Sequence, residues 1–290
     1  MDFLQPKSLR EALEARAERP EALPIAGGTD VMVELNFDRG RPAAILDLTR
    51  AAELAAWDRD GGRHRVGAGV TYTRAIDELA AALPGLALAA RTVGSPQIRN
   101  RGTIGGNLGS ASPAGDCHPP LLASGAEVEL VSVAGTRRLP VQEFFTAPKQ
   151  SALRADELIA AVHVPAATGP QQFAKVGTRN AMVIAVCSFA LALDPEHRGV
   201  GTGIGSAGPT PLRAGEAERF LRDVLDEEGL WESRAPLGEA TAARFGELIG
   251  AAARPIDDVR GTAAYRVHAL GVLARRTLVW AWDEYRNPRS

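Results

Sequence analysis

The sequence predicts a two-domain protein that combines short strands with amphipathic helices. Its 290 residues are 45% hydrophobic and 23% charged, a composition typical of a folded chain with a substantial core. Short apolar runs alternate with helical patterns through the first hundred residues. Because a connector with proline at both ends lies at 165–170, we expect one domain over residues 1–168 and a second over 169–290.

Local signals predict the elements of the first domain. Ser8 and Glu11 form a capping-box pattern, which predicts a helix from there to about Ala17. The apolar residues at 31–35 fit a helix or a strand by periodicity alone. The remaining predicted elements are strands at 44–48, 65–70, 126–131 and 158–164, a helix at 73–83 and a helix after Pro84.

The segment 93–116 is rich in Gly, Asn, Ser and Pro. It is too long for a simple turn, and it has too little periodicity for one helix. We therefore expect a long ordered loop here, and such loops in compact domains are usually functional.

In the second domain, the segment 203–208 matches the GxGxxG pattern of dinucleotide-binding proteins. That motif needs a helix at its third glycine, but Pro209 and Pro211 follow and favour extended backbone. We therefore predict a glycine-rich strand and turn over 199–211. The other predicted elements are an apolar run at 182–193 and a helix from 262 to about 285.

Charge and hydropathy exclude two classes of partner. The formal net charge of -2 gives no overall attraction to nucleic acid or to an anionic membrane surface. No run approaches the ~18 apolar residues of a membrane-spanning helix, and Asp2 stands where a secretory signal would be basic. A cytoplasmic location is the expectation.

The cysteines and histidines predict no metal site. Cys117 and Cys187 alone support neither a disulfide framework nor four-thiolate ligation of an iron-sulfur cluster, so any cluster must lie on a partner. The five histidines show no HxxxH or HxH pairing. Asp116, Cys117 and His118 are consecutive, and three consecutive residues rarely converge on one ion.

Two glycine loops, 26–30 and 101–107, are the strongest chemical signal. Without a Cβ, glycine lets several backbone N–H groups approach a phosphate closely, and a pyrophosphate fits such a concavity. Thr29, Thr103 and Asn107 add short donors beside the glycines. The alternative is that both are tight turns with glycine at positive φ.

Longer motifs carry a family resemblance. They are the loop at 26–30, the runs 97–107 and 111–116, and, later in the chain, 175–179, 209–214, 264–266 and 273–276. In this order they resemble the FAD-binding subunit, or medium chain, of the xanthine dehydrogenase and aerobic carbon monoxide dehydrogenase family. The resemblance covers essentially the whole chain.

The resemblance implies an α+β fold. The first domain would be an FAD-binding domain of the type shared with p-cresol methylhydroxylase (PCMH), with two α+β subdomains that hold an extended FAD between them. The second would be a C-terminal α+β domain, beginning near residue 170, with a three-stranded antiparallel sheet and helices.

The resemblance also implies which residues contact a non-covalently bound FAD. Two groups would lie at the pyrophosphate: Pro24, Ile25, Ala26, Gly27, Gly28, Thr29 and Asp30 in the first loop, and Thr103, Ile104, Gly105, Gly106 and Asn107 in the second. Further contacts lie after the second loop in the sequence. Ser112 belongs to the same segment, and Asp116 would accept hydrogen bonds from FAD hydroxyls. Leu158, Ile159 and Lys175 would lie toward the isoalloxazine.

Two of these positions bear on the type of flavoprotein. A cation at Lys175 beside the flavin would raise the flavin's reduction potential, whereas the alternative is a surface lysine. Some relatives carry His-Ser where this chain has Thr29-Asp30. That departure favours the xanthine dehydrogenase-like group, and an aerobic carbon monoxide dehydrogenase medium subunit stays an alternative.

The implied assembly has a large subunit with the molybdenum cofactor and a small subunit with two iron-sulfur clusters, arranged as a dimer of heterotrimers. Electrons would pass from the clusters through FAD to NAD, oxygen or a quinone. Substrate oxidation would occur on another subunit, so we expect no catalytic acid-base pair in this chain.

Two rival hypotheses remain. A stand-alone flavin oxidoreductase with the same FAD domain would need a proton donor such as Cys187 or Ser188 and a carboxylate such as Glu216 or Glu218. An assembly subunit that has lost FAD is the other, and the intact glycine loops argue against it.

Overall fold

The computed structural model describes residues 1–288, and over that range the chain forms thirteen strands and twelve α-helices. The strands are β1 Asp2–Leu4, β2 Leu23–Ile25, β3 Ala44–Asp47, β4 Trp57–Asp60, β5 Arg63–Gly67, β6 Glu127–Ser132, β7 Gly135–Pro140, β8 Phe145–Ala147, β9 Gln150–Ser151, β10 Leu158–Pro165, β11 Gln171–Val176, β12 Cys187–Asp194 and β13 Gly199–Gly205. The helices are α1 Leu9–Glu18, α2 Val31–Asn36, α3 Tyr72–Glu78, α4 Pro84–Arg91, α5 Pro96–Arg101, α6 Ile104–Ser110, α7 His118–Ala123, α8 Val141–Phe144, α9 Gly215–Glu227, α10 Leu230–Ser233, α11 Glu239–Ala252 and α12 Ala263–Arg286.

The N-terminal half contains two main sheets. A parallel sheet has the order β1-β3-β2, and an antiparallel sheet has the order β4-β5-β10-β6-β7. One hydrophobic core joins both sheets to α3, α4, α6 and α7. The predicted start of α1 is confirmed, because the Ser8 hydroxyl accepts a hydrogen bond from the Glu11 N–H at 3.2 Å.

The C-terminal half forms the expected three-stranded antiparallel sheet, β11-β12-β13, covered by helices. Its separate core brings Phe189 of β12 against Phe245 of α11, with ring centroids 6.2 Å apart. The long helix predicted at the C-terminal end is α12. The apolar run predicted at 182–193 becomes a strand only from Cys187 onward.

The long loop expected at 93–116 is wrong, because α5 and α6 lie within it. Each helix has six or seven residues, fewer than two turns, which is too short to show an apolar periodicity. Side-chain caps define both starts: the Ser95 hydroxyl accepts from the Ile98 N–H, and the Thr103 hydroxyl accepts from the Gly106 N–H. The ambiguous segment 31–35 is helical.

The glycine-rich strand predicted at 199–211 is confirmed as β13, and its glycines have a packing role. A methyl group added at Gly201 would lie 1.9 Å from the Ala123 carbonyl oxygen, and one at Gly203 would lie 2.0 Å from that of Pro119. Glycine at alternate positions therefore lets α7 lie directly on β13. This contact joins the two halves of the chain next to the segment 111–116.

Candidate functional site

The two glycine loops of the sequence lie against each other. A methyl group added at Gly27 would stand 1.9 Å from the carbonyl oxygen of Arg101 and 2.9 Å from the Cα of Gly102. No side chain could be accommodated at Gly27 without moving that backbone. The loops, separated by about seventy positions in the sequence, therefore form one site.

The first loop presents unused hydrogen-bond donors. It follows β2, where Ile25 accepts from the Leu48 N–H, and it turns at Gly28 with φ of 76°. The N–H groups of Gly27, Gly28 and Thr29 have no acceptor within residues 1–288. These residues are half-buried, and Asp30 then begins α2. Such a loop can bind an anion through its backbone.

The second loop differs from the expectation, because its amides are already hydrogen-bonded. The N–H of Ile104 donates to Val70 at 3.0 Å, that of Gly105 to Ala68 at 2.8 Å and that of Gly106 to the Thr103 hydroxyl at 2.9 Å. These bonds form because Thr103 is a helix cap and α6 packs on the end of β5. The expectation of free amides is therefore wrong for Ile104, Gly105 and Gly106.

Gly105 is required by packing. A methyl group added there would lie 2.4 Å from the Cβ of Ala68. Ile104 is fully buried in the core beside it, whereas Gly106 is exposed. Cofactor contact by this loop stays a prediction, and Gly106 and Asn107 are the positions with surface available for it.

Tyr72 packs against the second loop. Its buried ring packs against Gly102, where an added methyl group would approach the ring to 2.6 Å. Burial raises the pKa of the Tyr72 phenol, and the charges of Cys117, Asp30 and Asp116 add to the increase. Asp30 of the first loop and Asp116 after the second therefore lie within electrostatic range of one ring.

Asp116 and Lys175 form a buried ion pair between the two halves of the chain. Lys175 Nζ lies 2.6 Å from Asp116 Oδ2, and both side chains are 9% exposed. The ammonium also donates to the carbonyl oxygens of Thr92 at 2.9 Å and Val183 at 3.2 Å. Its three N–H groups thus have protein acceptors.

The surface-lysine alternative is therefore wrong for Lys175. Its charge is matched by Asp116, so it is not a free cation available to a flavin in this structure. A position of Lys175 toward the isoalloxazine stays a prediction. The ion pair could not be read from the sequence, because its members are 59 positions apart.

The second carboxylate oxygen of Asp116 is an unused acceptor. Oδ1 is buried and has no hydrogen-bond partner within the described chain. Burial raises the pKa of Asp116, while Lys175 and the Thr92 hydroxyl act in the opposite direction. A buried oxygen of this kind needs a donor, and a ligand hydroxyl would supply one.

The remaining predicted residues lie around these groups. Ser112 precedes Asp116 in the same segment, and its hydroxyl accepts from the Ala114 N–H at 3.3 Å. Leu158 and Ile159 are buried at the start of β10, and Ile159 lies next to Gly109 of α6. Ile159 therefore presents apolar surface on the side where α6 lies, whereas Leu158 is only 1% exposed.

Sequence reasoning missed His118 as part of the site. It is fully buried, and its Nε2 lies 3.0 Å from the carbonyl oxygen of Asn107. Burial lowers the pKa of the His118 imidazole to about 4, although the carbonyls of Asn107 and Ser112 oppose the shift. The residues on either side of His118, Cys117, Pro119 and Pro120, form no pattern that predicts this contact.

Three of the four groups proposed for the stand-alone oxidoreductase hypothesis are buried or already hydrogen-bonded, and Glu216 is the exception. Burial raises the pKa of the Cys187 thiol to about 12, and Ser188 is also buried. Glu218 is bound by Arg213 and by Thr202. Glu216 is exposed on α9.

Among residues 1–288, no three His, Cys, Asp or Glu side chains are grouped as metal ligands. None of the helices in that range combines the length and the apolar character needed to cross a membrane.

Comparison with known proteins agrees with this geometry. The family model for the FAD binding domain in molybdopterin dehydrogenase matches residues 1–167, and that for the CO dehydrogenase flavoprotein C-terminal domain matches residues 172–281. The xanthine dehydrogenase FAD-binding subunit of Escherichia coli O157:H7 is 30% identical over 284 residues, covering 93% of this chain and 92% of that protein. The nicotinate dehydrogenase FAD-subunit of Eubacterium barkeri is 35% identical over 234 residues, 76% of this chain and 79% of that one.

Solved structures show the same fold. Carbon monoxide dehydrogenase from Hydrogenophaga pseudoflava, in a form lacking the Mo-pyranopterin moiety, is 26% identical with a TM-score of 0.85, covering 98% of this chain and 97% of that one. Quinoline 2-oxidoreductase from Pseudomonas putida 86 has a TM-score of 0.89 over 99% of this chain and 98% of that one, at 24% identity. Together with the family match over more than half its length, these findings show that the chain belongs to the FAD-binding subunits of the molybdopterin dehydrogenases, an oxidoreductase family.

Proposed function

We propose that this chain binds FAD non-covalently at the joined glycine loops and carries electrons between a partner's iron-sulfur clusters and a soluble or membrane-borne acceptor, namely NAD, oxygen or a quinone. The observation that carries the proposal is the set of N–H groups at Gly27, Gly28 and Thr29 that have no acceptor among residues 1–288. Such groups suit a diphosphate, because their hydrogen bonds stabilise its negative charge without a cationic side chain.

Several residues of the chain fit an FAD molecule. The amides of the first loop hold the diphosphate, with Pro24, Ile25 and Ala26 setting the course of the backbone into the turn. Asp116 Oδ1, buried and unpaired within residues 1–288, accepts from a cofactor hydroxyl. Lys175 acts through Asp116, whose carboxylate it holds in place.

The other predicted residues complete the site. Gly106 and Asn107 contribute the exposed edge of α6, whereas Thr103, Ile104 and Gly105 hold the start of α6 against the segment 68–70 that follows β5. Leu158 and Ile159 supply apolar surface for the isoalloxazine. When bound, FAD supplies the ability to exchange electrons singly or in pairs, and the protein fixes its position and tunes its potential.

The assembly belongs to the same proposal. Relatives are named as medium chains or FAD-binding subunits, which supports a multi-subunit enzyme. We propose a large molybdenum-cofactor subunit and a small two-cluster iron-sulfur subunit as partners, in a dimer of heterotrimers. The chain divides into an FAD domain, 1–168, and a C-terminal domain, 169–290. A cytoplasmic location agrees with two buried free cysteines, Cys117 and Cys187.

A matched pair of glycine variants tests the cofactor site. Gly28→Ala puts a Cβ at φ of 76°, where there is space but the backbone conformation is unfavourable by about 1–2 kcal/mol. Gly62→Ala imposes the same kind of strain at φ of 83° in the β4-β5 turn. We expect the first variant to lose FAD and the second to keep it, as measured by flavin absorbance after denaturation.

Comparing the two variants separates a loss of FAD binding from a general loss of stability. Equal flavin content in both variants and the wild type would remove the first loop from the cofactor site. A wild-type protein that releases no flavin, isolated with its partner subunits, would contradict the proposed function itself.

A further inference from the structure

His118 is the first residue of α7, and its imidazole is fully buried between α6 and β8. Nε2 lies 3.0 Å from the Asn107 carbonyl oxygen, which can only accept. Nε2 therefore carries a proton and donates it to this carbonyl. Nδ1 is buried and has no partner within residues 1–288.

The carbonyl that His118 contacts belongs to the last turn of α6. That helix ends with Ala111 in the left-handed conformation, at φ of 43°, and the Ala111 N–H bonds to Leu108. The Asn107 carbonyl consequently has no backbone partner of the helical type. His118 supplies one donor, and the Ser110 hydroxyl supplies another at 3.2 Å.

The neighbouring residue holds the side chain of the same asparagine. The Cys117 N–H donates to Asn107 Oδ1 at 3.4 Å. With Oδ1 bound in this way, the amide Nδ2 of Asn107 points elsewhere, and no protein acceptor for it occurs in the described chain. Cys117 and His118 thus bind the side-chain and backbone carbonyl oxygens of Asn107, and the side-chain N–H groups of Asn107 have no acceptor among residues 1–288.

The pocket around the imidazole is built for a ring. A methyl group added at Gly115 would approach the ring to 2.3 Å, and the Phe145 ring lies 4.5 Å away between centroids. Neither neighbour titrates. The titratable groups next to His118 in the chain are Cys117 and Asp116, and Asp116 is paired with Lys175.

We propose that His118 is a positioning residue that holds Asn107 so that its side-chain amide donates to the FAD diphosphate. This inference rests on the proposed function, because it names a further contact in the same site. His118 does not touch the cofactor. It acts through the backbone of Asn107, while Cys117 sets the direction of the amide.

Two substitutions separate hydrogen bonding from packing. His118→Gln keeps an N–H donor for the Asn107 carbonyl, whereas His118→Phe keeps an aromatic ring against Phe145 and removes the donor. His64→Phe is the control, because His64 is another buried histidine of the same domain, on β5, whose ring nitrogen Nδ1 is also unpaired among the described residues.

The measurement is the FAD dissociation constant of the full chain, with the subunits that co-purify, from flavin fluorescence on dilution. We expect His118→Phe to weaken FAD binding by about tenfold, the effect of one lost buried hydrogen bond, and His118→Gln to stay within about twofold of the wild type. His64→Phe should leave the constant unchanged.

A double substitution keeps the inference testable if His118→Phe folds poorly. His118→Met also lacks the donor, and combined with Asn107→Ala it should weaken FAD binding no further than Asn107→Ala alone. Additive losses would overturn the inference, as would a phenylalanine variant that binds FAD better than the glutamine variant. Absence of FAD from the wild type would instead overturn the proposed function.

Discussion

The buried pair of Lys175 and Asp116 gives the sharpest energetic prediction. Lys175→Met keeps a linear side chain and removes the charge. It deletes three hydrogen bonds and leaves the Asp116 carboxylate, 9% exposed, without its counter-charge. Removing one partner of a buried pair typically costs about 3–5 kcal/mol, so the free energy of unfolding should fall by that amount at pH 8.

The loss should depend on pH in a defined direction. Burial already raises the pKa of Asp116, and Lys175 opposes that increase. In the Lys175→Met variant the pKa of this carboxyl rises further, so the carboxyl takes up a proton more easily as the solution becomes acidic. The deficit relative to the wild type should therefore be smaller at pH 5 than at pH 8.

Urea denaturation of the full chain, followed by tryptophan fluorescence, measures both quantities. Lys149→Met is the matched control, since Lys149 pairs with Glu34 at 3.0 Å but the two side chains are 68% and 51% exposed. Exposed pairs contribute about 0–1 kcal/mol. Equal losses for Lys149→Met and Lys175→Met would refute the reasoning from burial.

Two further predictions concern α6 and the residue that supports it. Thr103→Val removes the N-cap of α6, so it should lower the free energy of unfolding by about 1 kcal/mol and also weaken FAD binding. The control, Thr262→Val, removes the N-cap of α12 and should lower the free energy of unfolding alone. Equal FAD affinity in both variants would contradict the role of α6 in the site. For His118, the folded-state pKa of about 4 lies below the usual 6.5, so protonation favours unfolding. The stability contribution of neutral His118 should be complete above pH 6.5, decline as the pH falls below 6.5 and be fully lost by about pH 4. Urea titrations should find this pH dependence weaker in His118→Gln, and an unchanged pH profile in that variant would contradict this role of His118.

Local signals in the sequence predicted much of the fold. The Ser8 cap and the apolar periodicity of α12 depend on residues within a few positions, so their patterns are visible along the chain. The short helices α5 and α6 were not predicted, because fewer than two turns show no periodicity and because glycine-rich segments favour loops.

The candidate site was predictable in its location and not in its physical detail. The two glycine loops signalled a close approach of backbone, but the neighbour that Gly27 approaches is Arg101, and the neighbour of Gly105 is Ala68. Both are tertiary contacts, which no local pattern encodes. For the same reason the sequence did not indicate that the ammonium group of Lys175 donates its hydrogen bonds to protein acceptors.

The most direct test of the central claim is the cofactor content of the tagged full chain, isolated from its native host and separated by size. FAD, iron and molybdenum would be quantified in the fraction that contains the chain. We predict one FAD per chain, released on denaturation. We also predict that the chain elutes as part of a larger assembly whose fraction contains iron and molybdenum. A chain that elutes without flavin would contradict the account, and a chain that elutes alone with flavin would contradict its role as a subunit.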